Sequence, residues 1–217
     1  VSHKREITQI EPQQRNKQRR SIYLEGEFAF GLDEELVLKF GLHEGDLIDE
    51  SELLAIIQAE EKKGAKDTAV RFLSYRSRSE KEVRDKLFSK GFSEDTVESV
   101  LAELKQARLV DDVQFAMAFV HDKMILNPMG PLLIHRDLKQ AGLADSVIEL
   151  AVEEAFREKT MFEIALELAQ KKIRQLQSPD GLKTKKRLTD FLYRRGFDWD
   201  ITREVLEQLE IETPNVE

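Results

Sequence analysis

The chain has 217 residues, 35% of them charged, with 34 Lys and Arg against 42 Asp and Glu for a formal net charge of −8, and it contains no cysteine. That balance argues against a uniform electrostatic attraction to nucleic acid, and the missing thiols exclude disulfide staples, thiolate metal sites and thiol nucleophiles together. No run approaches the roughly 20 apolar residues that a bilayer-crossing helix needs, and Val1 to Arg20 is polar and basic without an apolar stretch, so no membrane contact is expected; with the missing thiols the chain reads as cytoplasmic, and a monomer is expected. The charge is unevenly spread: residues 26–65 carry 3 basic against 11 acidic side chains, residues 66–110 carry 10 against 8, and residues 111–156 carry 3 against 8.

From the start of the chain, Ile22, Leu24, Phe28 and Phe30 fall on alternate positions around Glu25-Gly26, which predicts a hairpin over Ser21 to Phe30, and Ile7 to Ile10 adds a third strand. At Asp33 the period changes to that of a helix through Leu36, Val37 and Phe40, stopped by Gly41, and Asp49-Glu50-Ser51 opens another helix. Gly41 to Gly45 reads as a turn. Residues 1–62 are thus a small mixed β/α module. The polar seam Lys62 to Lys66, with Gly64 inside, could end that module or lie within a long helix.

Beyond the seam the chain repeats. Ser79 to Leu104, Gly130 to Ala155 and Thr184 to Leu209 align without a gap, and Gly91, Gly142 and Gly196 each precede a large apolar residue, Phe92, Leu143 or Phe197. A glycine there supplies the left-handed residue after a helix and makes the corner of a helix hairpin. The second helix of each hairpin buries Val97, Val100, Leu101 and Leu104, then Ile148, Ala151, Val152 and Ala155, then Val205, Leu206 and Leu209, with Thr202 breaking the pattern. Ser79 with Glu82 is a capping box, and Ser93, Asp145 and Asp198 are expected helix caps. A further helix precedes each hairpin, over Asp67 to Arg76, Asp111 to Met124 and Met161 to Leu176. The expected fold is mainly α: three tandem three-helix repeats, 63–110, 111–156 and 157–217, in an elongated curved array behind the N-terminal β-hairpin/helix module.

Catalytic chemistry has no visible basis. His3, His43, His121 and His135 are scattered without metal-ligand spacing, no phosphate-cradling glycine motif occurs, and Asp111 with Gln114 makes a good helix cap, so the adjacent Asp111-Asp112 pair reads as structural. No catalytic residue, metal or cofactor is expected. Basic residues interleaved with aromatics are more informative: Arg71, Tyr75, Arg76, Arg78, Lys81 and Arg84 gather near the first repeat's opening turn. Lys183, Lys185, Lys186, Arg187, Tyr193, Arg194 and Arg195 gather in the third. Phosphate contact with base stacking uses such residues, an acidic protein surface would suit them equally, and solvated helix faces are the plain alternative.

Several of these stretches resemble a known family, the RecX regulatory proteins. The resemblance is carried by Leu73-Ser74-Tyr75-Arg76, Arg78-Ser79-Glu80-Lys81-Glu82-Val83, Leu87, Lys90-Gly91-Phe92, Leu109-Val110-Asp111-Asp112, Phe115-Ala116, Phe119-Val120, Gly130, Ile134, Leu138 and Gly142-Leu143. It is strong over residues 66–156, weaker in the third repeat through Leu188, Leu192, Arg195-Gly196-Phe197 and Val205, and residues 7–62 are similar to the N-terminal extension of longer members. It implies a bacterial cytoplasmic regulator of recombination, DNA repair and the SOS response. Such a protein lies in the groove of the RecA filament on single-stranded DNA and limits ATP hydrolysis, filament extension and strand exchange. It implies no cofactor and no catalytic residues. A free-standing module that binds single- or double-stranded DNA is the alternative. The central repeat here is acidic, so it must meet protein rather than phosphate if the groove contact is basic along its length.

Overall fold

The computed structural model describes residues 4–14, 16–176 and 181–210, which fall into two compact units: one up to Arg76 together with Val83–Leu109, the other Ser77–Glu82 together with the chain from Val110.

The first unit begins with a four-stranded antiparallel sheet in the order β3-β2-β1-β4, from β1 (Arg5–Pro12), β2 (Arg19–Leu24), β3 (Glu27–Asp33) and the two-residue β4 (Leu47–Ile48). Glu25 and Gly26 both take positive φ, as the hairpin turn that suits strand twist requires. The alternation expected across that hairpin does not run through. The register shifts between Ile22 and Tyr23, so Ile22 pairs with Phe30 but Tyr23 pairs with Phe28. Ile22 and Leu24 are buried, whereas Phe28 is 59% exposed and packs edge-on against Tyr23 at 5.9 Å; a bulge moves every later side chain to the other face. Against the buried face lie α1 (Glu34–Phe40) and the start of α2 (Glu50–Leu73), which give a core of Ile7, Ile22, Leu24, Leu32, Leu36, Ile48 and Ile56.

α2 runs straight through the polar seam. Its lysines are not linker residues: Lys62 and Lys66 reach Glu103 at 2.6 and 2.9 Å, and Lys63 reaches Glu35 at 2.5 Å. The helix expected over Asp67 to Arg76 is therefore the C-terminal part, from Asp67, of a 24-residue helix that ends at Leu73, three residues short of Arg76. The hairpin α3 (Glu80–Phe88) and α4 (Glu94–Gln106) follows, and α4 packs on α2 through its buried stripe Val97, Val100, Leu101 and Leu104. Ser93 stands at the N-cap of α4 without capping it. Its N–H and hydroxyl both donate to Glu61 of α2 at 2.8 Å, which holds the Glu61 carboxyl below its ordinary value.

The second unit contains α5 (Asp112–Leu126), α6 (Pro131–Gln140), α7 (Asp145–Ala155), α8 (Met161–Gln175), α9 (Gly181–Arg194) and α10 (Trp199–Gln208). One core gathers Phe115, Ala116, Ile134, Leu138 and Ile148, the next Ile164, Leu188, Leu192, Phe197 and Val205, and Met124 and Phe156 pack against both. Asp198 caps α10 by accepting from Ile201 N–H at 2.9 Å, and Thr160 with Glu163 makes a capping box for α8. The cap of α7 is Ala144, one residue ahead of the expected Asp145, whose carboxylate is held by Lys139 at 2.6 Å instead. The fold is thus mainly helical, with three-helix repeats behind a small strand module.

Candidate functional site

Each hairpin corner is built by the same backbone device. In the third repeat, Gly196 N–H donates to Tyr193 C=O and Phe197 N–H donates back to Leu192 C=O, satisfying the orphan carbonyls of α9. Gly91-Phe92 and Gly142-Leu143 repeat the pattern on α3 and α6. The corners of the second unit also dock. Ser79, fully buried at the start of α3, donates its hydroxyl to Ala141 C=O at 2.7 Å, and Gly130 N–H, at the start of α6, donates to Arg195 C=O at 2.7 Å. Ser79 also forms the expected capping box with Glu82, at 3.2 Å in both directions. The Asp111-Asp112 pair divides its work: Asp111 caps α5 through Val113 and Gln114 N–H, while Asp112 accepts from Glu80 N–H at 2.8 Å and so caps α3.

The first basic cluster is divided between the two units and partly engaged. Arg84 is ion-paired with Glu98, and Arg78 lies in the other unit, half-buried, with Glu82 at 3.6 Å. On the first unit Arg71, Arg76 and Tyr75, the last 79% exposed, face solvent at the end of α2. Arg71 also edges a groove of about 740 Å³ with Lys39, Lys62, Lys63 and Lys66, whose positive charge is offset by Glu35, Asp67 and Glu103. Hydrogen bonds from Lys62 and Lys66 pull the Glu103 carboxyl down to about 2. These lysines are engaged in holding α2 to its neighbours, so the groove presents less free charge than its composition suggests.

The second cluster keeps its charge available. Lys185, Lys186, Arg187 and Arg194 are exposed on α9, none of them in an ion pair among the described residues, and Tyr193 beside them is 64% exposed. Lys183, Lys186, Arg187 and Arg194 recur at three-, four- and seven-residue intervals, which places them on one helix face, with Asp190 among them. Arg195 is different. It stacks over Phe191 at 5.4 Å and donates to Asn127 Oδ1 and to Pro128 C=O, so its guanidinium joins α9 to the loop before α6. Helical spacing already separates Arg194 from Arg195, because Arg195 falls toward the core side that Leu188 and Leu192 define; treating the basic residues as one cluster missed it.

Among the described residues the shifted carboxyls have structural partners. The lowered carboxyls, Glu35, Asp49, Glu61, Glu103, Asp145 and Glu163, each accept from a lysine, a serine or a helix-capping N–H. Among the described residues no three His, Asp or Glu side chains gather to hold a metal, and no helix is long and apolar enough to cross a membrane. His43, His121 and His135 are surface residues, and His3 lies outside the described residues.

Three helical hairpins with glycine corners, each preceded by a packing helix and all following a four-stranded sheet module, define a tandem helical-repeat protein. Comparison with known proteins narrows this class. Family models match in order: the regulatory protein RecX N-terminal domain over residues 5–49, and the first, second and third three-helix domains of RecX over 65–104, 111–152 and 159–206. The regulatory protein RecX of Clostridioides difficile is 36% identical over 94% of this chain and 95% of its own length, and that of Bacillus licheniformis 32% identical over 95% and 78%. A crystal structure of regulatory protein RecX superposes with a TM-score of 0.70 at 28% identity, covering 94% of this chain and 99% of that one. RecX from Lactobacillus salivarius gives 0.61 at 26% identity over 71% and 99%. The chain belongs to the RecX family of regulatory proteins.

Proposed function

We propose that this chain is a cytoplasmic, monomeric, non-catalytic regulator that binds the RecA filament on single-stranded DNA and restrains ATP hydrolysis, filament extension and strand exchange in recombination, DNA repair and the SOS response. Its working parts are a β/α module, 1–62, and three repeats, 63–110, 111–156 and 157–217; it needs no metal or cofactor. The observation that carries the reading is the exposed basic surface of α9, where Lys185, Lys186, Arg187 and Arg194 have no ion pair among the described residues and Tyr193 stands beside them, in a chain matched by RecX domains over 5–49, 65–104, 111–152 and 159–206. A smaller exposed set, Arg71, Tyr75 and Arg76, serves the first unit. A cation row binds phosphate by releasing counterions, and a neighbouring tyrosine ring stacks on an unpaired base.

The test is a titration of single-stranded-DNA-dependent ATP hydrolysis by RecA, at two salt concentrations, with the wild type and with a combined Lys185→Gln, Lys186→Gln, Arg187→Gln variant. The wild type inhibits at substoichiometric amounts, since blocking a growing end affects many subunits, and the variant needs about tenfold more protein. A second reading, a stand-alone nucleic-acid module, is favoured by the exposure of Tyr75 and Tyr193 beside cations. It predicts tight binding to free DNA that falls steeply with salt while RecA turnover is untouched.

A further inference from the structure

α5 is apolar around more of its circumference than its own core uses. Phe115 and Ala116 are buried in that core, whereas Met117 and Ile125, with the exposed His121 between them, lie on another side, where Ile125 is 65% exposed and Met124 reaches across from the two cores it packs against. A helix apolar on nearly all sides is ordinarily covered on nearly all sides. Here that open side forms one wall of a trough of about 760 Å³, within the range of about 300–1,000 Å³ typical of ligand sites. Val120, Ala155 and Ile164 floor it, and the opposite edge carries Glu154, Glu158 and Glu167 from α7, α8 and the turn between them. The one ammonium there, Lys159, lies 2.5 Å from Glu167, and Arg157 just outside lies 2.9 Å from Glu154, whereas Glu158 has no ion pair among the described residues. The trough therefore combines a largely apolar wall, bearing two methionines and His121, with an edge of three carboxylates of which Glu158 alone has no ion pair among the described residues.

That chemistry repels phosphate and so separates this surface from the α9 face. Two flexible thioethers let a wall adapt to differently shaped apolar side chains, and a carboxylate edge selects and orients a cationic flank. We infer that the trough is a docking surface for a basic amphipathic helix of a partner protein, whose apolar side chains, one turn apart, enter between α5 and α8 while its Lys or Arg residues meet Glu154, Glu158 and Glu167. This deepens the regulatory reading by giving the protein side of the contact a defined chemistry, and it can fail independently of the basic face.

The probe is a fluorescein-labelled amphipathic dodecapeptide with two leucines one helical turn apart and arginines on both flanks, titrated with the full chain by fluorescence anisotropy. Saturable binding is expected, weakened about fivefold or more by Ile125→Ser and about tenfold by Glu154→Gln, Glu158→Gln and Glu167→Gln combined. All four side chains are exposed, so thermal melting of these variants stays near wild type, and the α9 glutamine variant binds the peptide as wild type does. Peptides with the leucines replaced by serine, or the arginines by glutamate, do not bind. The inference is overturned if the serine peptide binds equally well, if none of the trough substitutions weakens binding, or if sedimentation equilibrium shows a dimer that Ile125→Ser dissociates, which would make a second copy the occupant. Peptide binding that persists without RecA inhibition strikes the recombinase reading and leaves the trough standing; inhibition that persists without peptide binding does the reverse.

Discussion

Gly91 and Gly142 are the same letter in the same motif, with φ of +84° and +88° and matching hydrogen bonds around them, yet they stand in different surroundings. A methyl group added at Gly91 would meet nothing within 4 Å. At Gly142 it would lie 2.5 Å from Lys81 Cδ and 2.6 Å from Lys81 Cβ, because that corner is pressed onto the start of α3. Gly196 is crowded in the same way by Leu133 of α6. One signature thus serves two purposes: everywhere it lets the chain reverse, and in the second unit it also lets one hairpin's corner touch the first helix of the previous hairpin. Near Gly142 the Ser79 hydroxyl, and near Gly196 the Gly130 N–H, completes that contact.

Substitution separates the two purposes. Gly142→Ala is expected to cost about 3 kcal/mol or more, the left-handed strain of an L-residue plus overlap with Lys81 near its backbone, whereas Gly91→Ala pays strain alone, about 1–2 kcal/mol. Urea denaturation measures both, and equal losses would mean that the corner contact does not stabilise the second unit. Thr202 occupies the position that Val97 and Ile148 hold in the other repeats, fully buried and with its hydroxyl unpartnered among the described residues. Thr202→Val is therefore expected to stabilise by about 1 kcal/mol, since it removes a desolvated polar group at nearly constant volume. A lowered melting temperature would show that the hydroxyl has a partner.

Arg108 extends the comparison. It closes α4 by the glycine pattern, with Leu109 N–H donating to Leu104 C=O at 2.8 Å, but with an arginine at φ +54°. Arg108→Gly should raise stability by about 0.5–1 kcal/mol, because relief of left-handed strain exceeds the added freedom of the unfolded chain. The smallest effect concerns Glu103. Its folded value, about 2, lies below the ordinary 4.5, so the Lys62 and Lys66 bonds contribute stability that is complete above pH 4.5 and fades as pH falls toward 2. The pair is partly exposed and screened, which limits the contribution to about 1 kcal/mol or less. Melting temperatures of Glu103→Gln and wild type should converge between pH 4.5 and 2. A gap that widens on acidification would contradict the pairing.

Local chemistry determined a good part of this protein from the sequence alone. Helix-period spacing, a glycine that can adopt positive φ, and oxygens placed to take free N–H groups act within a few residues. The hairpins, their corners, the Ser79 and Asp198 caps and the repeat alignment could therefore be read before any packing was known. Tertiary structure alone decided what lay between distant residues. It made the Lys62 to Lys66 seam the middle of α2 by placing Glu35 and Glu103 opposite the lysines, and it exposed Phe28 by a bulge. It gave Asp112 to the start of α3, paired Arg84 with Glu98 and gave Arg195 its partners Asn127 and Pro128, while leaving Lys185, Lys186, Arg187 and Arg194 in solvent. The reason is range: a charge is free or engaged according to which opposite group the folded chain brings within about 4 Å, and a glycine is crowded or open according to what packs on it. Neither fact is encoded within the few residues on either side.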